Sequence, residues 1–150
     1  MYIGFYKSPI GLLRIEANEK AIILIDSAET KEGENLNNLI VNCKNELDKY
    51  FKREIKEFSF PIELRGTEFQ KKVWEELVNI GYGRTWSYKE VARRIGNEKS
   101  VRAVANAIGK NKLVIIIPCH RVIGSNNSLT GFRLGIDKKK YLLDLEVIDQ

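Results

Sequence analysis

The chain has 150 residues, of which 43% are hydrophobic and 30% charged, and carries a net charge of +5. That length accommodates one domain or two small ones, and the balance is that of a globular protein rather than a disordered chain. No apolar run approaches the ~20 residues of a membrane span, residues 1–5 run straight into charged sequence rather than forming a secretory leader, and two cysteines point to a reducing, cytoplasmic setting rather than a disulfide framework.

Residues 2–6 are apolar and aromatic, and Ser8-Pro9-Ile10-Gly11 reads as a turn. Residues 12–17 and 21–26 flank Asn18-Glu19-Lys20, which suits a hairpin. A polar loop over 29–35 precedes an amphipathic helix whose stripe is Leu36, Leu39, Ile40, Cys43, Leu47, Tyr50 and Phe51. Cys43 sits inside that stripe and reads as a small buried hydrophobe. Residues 58–64, with Pro61 inside, read as an extended linker. Thr67-Glu68-Phe69-Gln70 is a capping box, and Phe69, Val73, Leu77 and Ile80 predict the buried face of the helix it opens, with Trp74 also in the core. Ser87-Tyr88-Lys89-Glu90 is a second capping box, its helix closed by Gly96. Ser100 then opens a helix through Val101, Val104 and Ile108, and the pair has the outline of a helix-turn-helix. On its outward face Arg102, Ala103, Asn106 and Lys110 are small or able to contact phosphates and bases, although alanines are also simply good helix formers. Residues 113–117 are an aliphatic run that should be buried, 124–131 a polar loop, and Gly135 leads into a final helix capped by Asp137, with Leu142 and Leu145 facing inward.

The charge is unevenly placed. Residues 1–62 hold 9 basic and 10 acidic side chains, whereas residues 63–150 hold 16 and 10. Such a concentration favours a polyanion partner, DNA first, and a solvated basic face reads equally well from charge alone.

The one histidine, His120, directly follows Cys119. A cysteine beside a potential base in a basic stretch meets the conditions for a stabilised thiolate. Neighbours in an extended chain point to opposite faces, so contact between the two requires a turn or a bridging water, and Pro118 makes a break in regular structure reasonable. A buried cysteine that merely ends a hydrophobic strand remains the plain alternative. A thioredoxin-type site would need a second cysteine at Cys-x-x-Cys spacing, and one histidine with two cysteines leaves too few ligands for structural zinc. What remains is a lone thiol on a basic surface.

Pro118-Cys119-His120-Arg121-Val122 resembles the active-site signature of the O6-alkylguanine-DNA alkyltransferase (methylated-DNA–protein-cysteine methyltransferase) family. Gly66-Thr67-Glu68-Phe69-Gln70, Val73-Trp74, Tyr82-Gly83, Ser87-Tyr88, Arg102-Ala103-Val104, Asn111 and Leu142-Leu143 through Glu146 are similar to it in order and spacing. The resemblance covers residues 66–146 well and residues 1–60 only in outline.

The resemblance implies an α+β protein: a small N-terminal sheet-and-helix support domain over 1–62, ribonuclease-H-like, and a mostly helical domain with a helix-turn-helix over 63–150. It implies a monomer that acts on double-stranded DNA containing O6-alkylguanine, with no cofactor, no metal and no membrane. Cys119 would take the alkyl group by direct displacement. His120 would accept the thiol proton through a water, oriented by Glu146. Tyr88 would assist departure of the guanine, and Asn111 would tie the helix-turn-helix to the active-site strand. Arg102 would fill the gap left by a flipped base, with Ala103, Tyr88, Arg121 and Ser125 also on the DNA side. Val122, Gly131 and Phe132 would wall the substrate pocket. Vertebrate members carry a tyrosine and a serine where this chain has Phe132 and Arg133, which bears on bulky adducts. Relatives that only bind the lesion replace the cysteine, which is present here, so this alternative ranks second.

Overall fold

Alternating side chains in the first part of the chain build three antiparallel strands, β1 (Tyr2–Ser8), β2 (Gly11–Ala17) and β3 (Ile22–Ser27), in the sheet order β1-β2-β3. The structure, a computed structural model, describes residues 1–147 and divides into two units, Met1–Leu64 and Arg65–Gln150. No helix among the described residues is long and apolar enough to cross a membrane.

In the first unit the β2–β3 turn is held by Asn18, whose Oδ1 accepts from the backbone N–H of Lys20 (2.7 Å) and Ala21 (2.8 Å). This is the local side-chain turn that asparagine favours. Leu13, Ile15 and Ala17 of β2 and Ile22, Ile23 and Ile25 of β3 are buried. Helix α1 (Asn38–Phe51) covers them with Ile40, Cys43, Leu47, Tyr50 and Phe51. Its cap is Asn37, which accepts from the Ile40 N–H. Leu36 lies before the helix and is exposed, so the stripe begins one turn later than expected. The helix approaches β1 closely at Gly4, where an added Cβ would collide with Ile40 Cγ2. Both sheet edges are partly covered, which limits strand addition. Asn35 exchanges two backbone hydrogen bonds of 2.8 Å with Ile3. Residues 58–64 are not a free linker: Ile62 bridges Ile22 in parallel, and Phe58 and Phe60 join Tyr50 in an aromatic cluster.

The second unit opens on the Thr67 capping box. The Gln70 N–H donates to Thr67 Oγ1 (3.1 Å) and the Thr67 N–H donates to Gln70 Oε1 (2.9 Å). Helix α2 (Glu68–Leu77) buries Val73, Trp74 and Leu77, whereas Phe69 sits at its rim, 37% exposed. Trp74 is buried and donates its indole N–H to the Ala107 carbonyl (2.8 Å) on helix α4 (Val101–Gly109). Helix α3 (Tyr88–Arg94) precedes α4 across a turn in which Gly96 has φ +85°, a conformation other residues resist. Ser87 caps α3 through the Glu90 N–H, but the Glu90 carboxylate binds Arg93 and Arg94. A single 3-10 turn, Glu98–Ser100, leads into α4, which buries Val104, Ala107 and Ile108 and leaves Arg102, Ala103, Asn106 and Lys110 exposed.

The aliphatic run over 113–117 is buried as expected, but as a tight loop rather than a strand. The Ile117 N–H donates to the Leu113 carbonyl (3.0 Å), and Ile115 is held at φ +76°. A β-branched residue there costs about 1–3 kcal/mol, which surrounding burial must offset. Two-residue strands β4 (Trp86–Ser87) and β5 (Val122–Ile123) pair in parallel, a contact the sequence did not foreshadow. Helix α5 (Ile136–Leu145) starts from Gly135, at φ +105°, with no side-chain cap, so Asp137 lies inside its first turn rather than at the cap.

Replacing Thr67 with alanine is expected to lower the stability of the second unit by about 1 kcal/mol through loss of the cap, read from urea unfolding midpoints. An unchanged midpoint would show that α2 does not depend on its capping box.

Candidate active site

Pro118 sets the backbone of the site. With φ −78° and ψ +61° and a Cys119 N–H donated to the Ile117 carbonyl (2.7 Å), it centres an inverse γ-turn. A 3-10 turn, Cys119–Arg121, follows, closed by the Arg121 N–H on the Pro118 carbonyl (3.0 Å). The bend turns successive side chains to different partners, and no hydrogen bond joins Cys119 to His120 among the described residues.

Cys119 faces Asn111. The Asn111 side-chain amide donates to the Ile117 carbonyl (3.0 Å) and to Cys119 Sγ (3.2 Å), while its oxygen accepts from the Leu113 N–H (2.9 Å). His120 is fully buried and pairs through Nε2 with Glu146 Oε2 (2.7 Å). Its Nδ1 is buried with no partner among the described residues. With the proton on Nε2 toward the carboxylate, Nδ1 is left as an acceptor.

Glu146, the residue that ends α5, is held twice more. Arg121 donates from Nε to Oε1 (2.7 Å) and from a terminal nitrogen to Oε2 (3.0 Å), and its other terminal nitrogen reaches the Ile80 carbonyl (2.7 Å). This corrects the expectation for Arg121. It is 7% exposed and locked into the interior, because a guanidinium so placed satisfies a buried carboxylate, and it is not on the outer surface where DNA could reach it.

Cys119 also lies at the wall of a cavity of about 860 Å³ lined by Tyr88, Arg102, Ser125, Gly131, Phe132 and Arg133, among others. Among the described residues no aspartate or glutamate lines it, whereas Lys89, Arg102 and Arg133 do. The Tyr88 hydroxyl donates to the Thr130 carbonyl (3.0 Å), and the Phe132 ring stands edge-on to His120 at 6.4 Å between centroids. Ser125 is exposed and Val122 buried behind the wall in β5. Ala103 is exposed on α4 but does not line the cavity.

Lys139 was not singled out from sequence. It is fully buried, and its ammonium donates to the carbonyls of Val122 (2.5 Å), Thr130 (2.6 Å) and Gly131 (3.1 Å), pinning the pocket loop to α5. Within the run Lys138-Lys139-Lys140 it reads as one of three solvated lysines. Its spacing of three from Leu142 and seven from Glu146, both buried, was the available signal.

Burial dominates the electrostatics. It pushes the Cys119 thiol up to about 11, against the opposing pull of the Asn111 hydrogen bond and the charges of Lys139 and Arg133. The resting thiol is therefore protonated at neutral pH, and the basic surroundings do not by themselves produce a thiolate. Burial holds His120 below its ordinary value despite Glu146, and lowers Lys139 to about 8. For Glu146 burial alone would raise the carboxyl, but the hydrogen bonds and charges of His120 and Arg121 outweigh it and draw it to about 2. Tyr88 is raised, first by burial. Such an arrangement can deprotonate a thiol on demand, with imidazole as acceptor and a carboxylate to stabilise the imidazolium.

Asn111→Ala removes three hydrogen bonds and leaves a buried N–H unpaired, with an expected loss of about 2–4 kcal/mol. The Cys119 thiol should rise further, since the amide bond lowers it, and this is read as slower alkylation by a neutral thiol reagent across a pH series. Glu146→Gln should destabilise by about 3–5 kcal/mol at neutral pH, because it leaves a buried guanidinium without its counter-ion. A carboxylate lowered on folding stabilises above its unfolded value and ceases to do so as pH falls toward its folded value. The deficit should therefore shrink from about pH 4.5 toward about 2. A deficit that stays constant over that range in urea titrations would contradict the ionic role assigned to Glu146.

Family models match both parts of the chain: the ribonuclease-like domain of 6-O-methylguanine DNA methyltransferase over residues 1–64 and its DNA binding domain over residues 68–148. A methylated-DNA–protein-cysteine methyltransferase of Methanosarcina acetivorans is 39% identical over 97% of this chain and 98% of its own length. The Haemophilus influenzae protein of that name is 40% identical over 99% and 87%. The crystal structure of Mycobacterium tuberculosis OGT in complex with DNA superposes with a TM-score of 0.90 at 38% identity, covering 97% of this chain and 92% of that one. With both domains matched in order and relatives similar over nearly the full length, the chain belongs to the 6-O-methylguanine DNA methyltransferase family.

Proposed function

We propose that the protein repairs DNA directly, transferring a methyl group from O6 of guanine in duplex DNA to Cys119 Sγ. The observation that carries this reading is the position of Cys119: its thiol lines a cavity with no acidic side chain among the described residues, accepts from the Asn111 amide, and is followed in the chain by the buried His120 that pairs with Glu146. A relative of 38% identity has been crystallised on DNA.

In this reading the thiol proton passes through a water to His120 Nδ1, and Glu146 stabilises the imidazolium. Sγ then attacks the methyl carbon as the carbon–O6 bond breaks. The electron pair leaves with the guanine, which takes a proton from Tyr88. An O6 lesion inside a duplex is beyond the reach of a thiol, so the base must turn out of the stack, at a cost of a few kcal/mol. Arg102, exposed on α4 at the cavity rim, fills the gap, and Ala103 lets the helix backbone come close to the groove. Ser125 and the loop pinned by Lys139 contact the flipped nucleotide, with Gly131 and Phe132 as the wall and Val122 packed behind it rather than lining it as expected. Basic side chains supply affinity for phosphates without regard to sequence, as a lesion in any context requires. The thioether product has no easy route back, so each monomer acts once, without a cofactor.

Incubation with a duplex containing O6-methylguanine should add one methyl group per protein, found by intact mass and located on the Cys119 peptide. No adduct, or many turnovers per molecule, would sink the reading. Arg102→Ala should slow repair of a duplex lesion about tenfold or more while leaving reaction with the free base O6-methylguanine within about twofold, the difference expected when a stacking plug is lost. Equal losses on both substrates would remove Arg102 from that role.

A further inference from the structure

Proton transfer from Cys119 to His120, stabilised by Glu146, gives no part to Arg121. Its placement is specific. One guanidinium engages both oxygens of Glu146 and the Ile80 carbonyl, so all three of its nitrogens are used, joining the residue that ends α5 to one beyond the end of α2. The Tyr82 ring lies 5.7 Å from its central carbon. Arg121 and Glu146 are both buried.

We infer that Arg121 is a positioning residue for the proton transfer: by holding both oxygens of Glu146 it keeps that carboxylate ionised while leaving His120 neutral, with Nδ1 free of a proton and ready to accept one. The inference rests on His120 being the proton acceptor, as proposed above.

A lone carboxylate against a lone imidazole would resolve its desolvation by moving a proton: either the carboxyl becomes neutral or the imidazole becomes charged in the resting state. In the first case nothing stabilises the imidazolium when it forms. In the second Nδ1 already carries a proton and cannot take one from Cys119. A fixed positive charge on the carboxylate removes both outcomes, because Arg121, Glu146 and a neutral His120 together carry no net charge. The other groups around His120 act in the same direction or are neutral at rest. Lys139 on α5 adds a second positive charge that opposes protonation, Cys119 is a neutral thiol, and Phe132 presents a ring edge. When the thiol proton reaches Nδ1, the imidazolium gains the Glu146 carboxylate and the new thiolate as counter-charges. The S–H bond is broken and the N–H bond formed with no other reactant. A lysine could not substitute fully, since an ammonium cannot span two carboxylate oxygens and a carbonyl in one plane.

His120 is the only histidine in the chain, so its ring nitrogens can be followed without assignment ambiguity. The test compares the native protein with Arg121→Met and Arg121→Lys, each checked for folding by circular dichroism. Imidazole nitrogen shifts are recorded from pH 5 to 9 without DNA, and single-turnover methyl transfer is measured over the same range. The native imidazole should stay neutral, protonated on Nε2, to below its ordinary value. In Arg121→Met its protonation midpoint should rise by about one unit or more, as expected when a neighbouring positive charge is lost, and the acid limb of the rate profile should move with it. Arg121→Lys should shift both in the same direction by less. A folded Arg121→Met protein with an unmoved midpoint, or one that loses rate equally at every pH, overturns the inference. Should Arg121→Met fail to fold, Arg121→Lys decides: a shift supports the inference and an unmoved midpoint and profile overturn it. A native protein that transfers no methyl group would defeat the proposed function instead, and the imidazole titration would still stand as a separate result.

Discussion

The structure of the second unit turns on one buried carboxylate. Glu146 ends the last helix, yet its two oxygens are taken by His120 and Arg121 from the turn that carries Cys119, and Arg121 continues to Ile80 beyond the end of α2. Three stretches distant in sequence are thus fixed by one group. Buried charge is tolerated only when its hydrogen-bonding capacity is met, and the penalty for removing one partner is large. The cluster therefore holds the turn in one register and links the reactive thiol's neighbour to a helix end that cannot shift independently.

Backbone geometry supplies what the ionic cluster does not. The inverse γ-turn at Pro118 and the left-handed Ile115 reverse an aliphatic run that would otherwise continue as a strand. The reversal lets the Asn111 amide reach both the Ile117 carbonyl and Cys119 Sγ. On the other side, Lys139 binds three carbonyls of the pocket wall, a use of a buried ammonium that trades solvation for loop order. Burial keeps the thiol protonated until a base acts. Under the proposed function, in which each molecule acts once, a thiol that is protonated at rest is protected from electrophiles other than its substrate.

Much of the fold was legible because its signals are local. The Thr67 capping box, the stripe of α1, the glycine turn at Gly96 and the outward face of α4 depend on residues within a few positions of one another. The errors share a cause. Residues 58–64 looked like a linker because their partner, Ile22, is far away in sequence. Phe69 looked buried because its spacing fits the stripe, but spacing does not report how far the core extends, and at the first turn of α2 it sits at the rim. Residues 113–117 looked like a strand because aliphatic composition reports burial and not the direction of the chain.

The sequence by itself determined that Cys119 and His120 are neighbours, that Cys43 belongs to a core stripe, and that the basic charge collects in the second part of the chain. Those are matters of order and periodicity, which survive in one dimension. Only the tertiary structure decided that Cys119 and His120 do not bond to each other, that Arg121 faces Glu146 rather than solvent, and that Lys139 is buried among carbonyls. A side chain's partner is set by which distant segments close around it, and a buried ion pair leaves no local pattern to distinguish an arginine or lysine inside the fold from one in water.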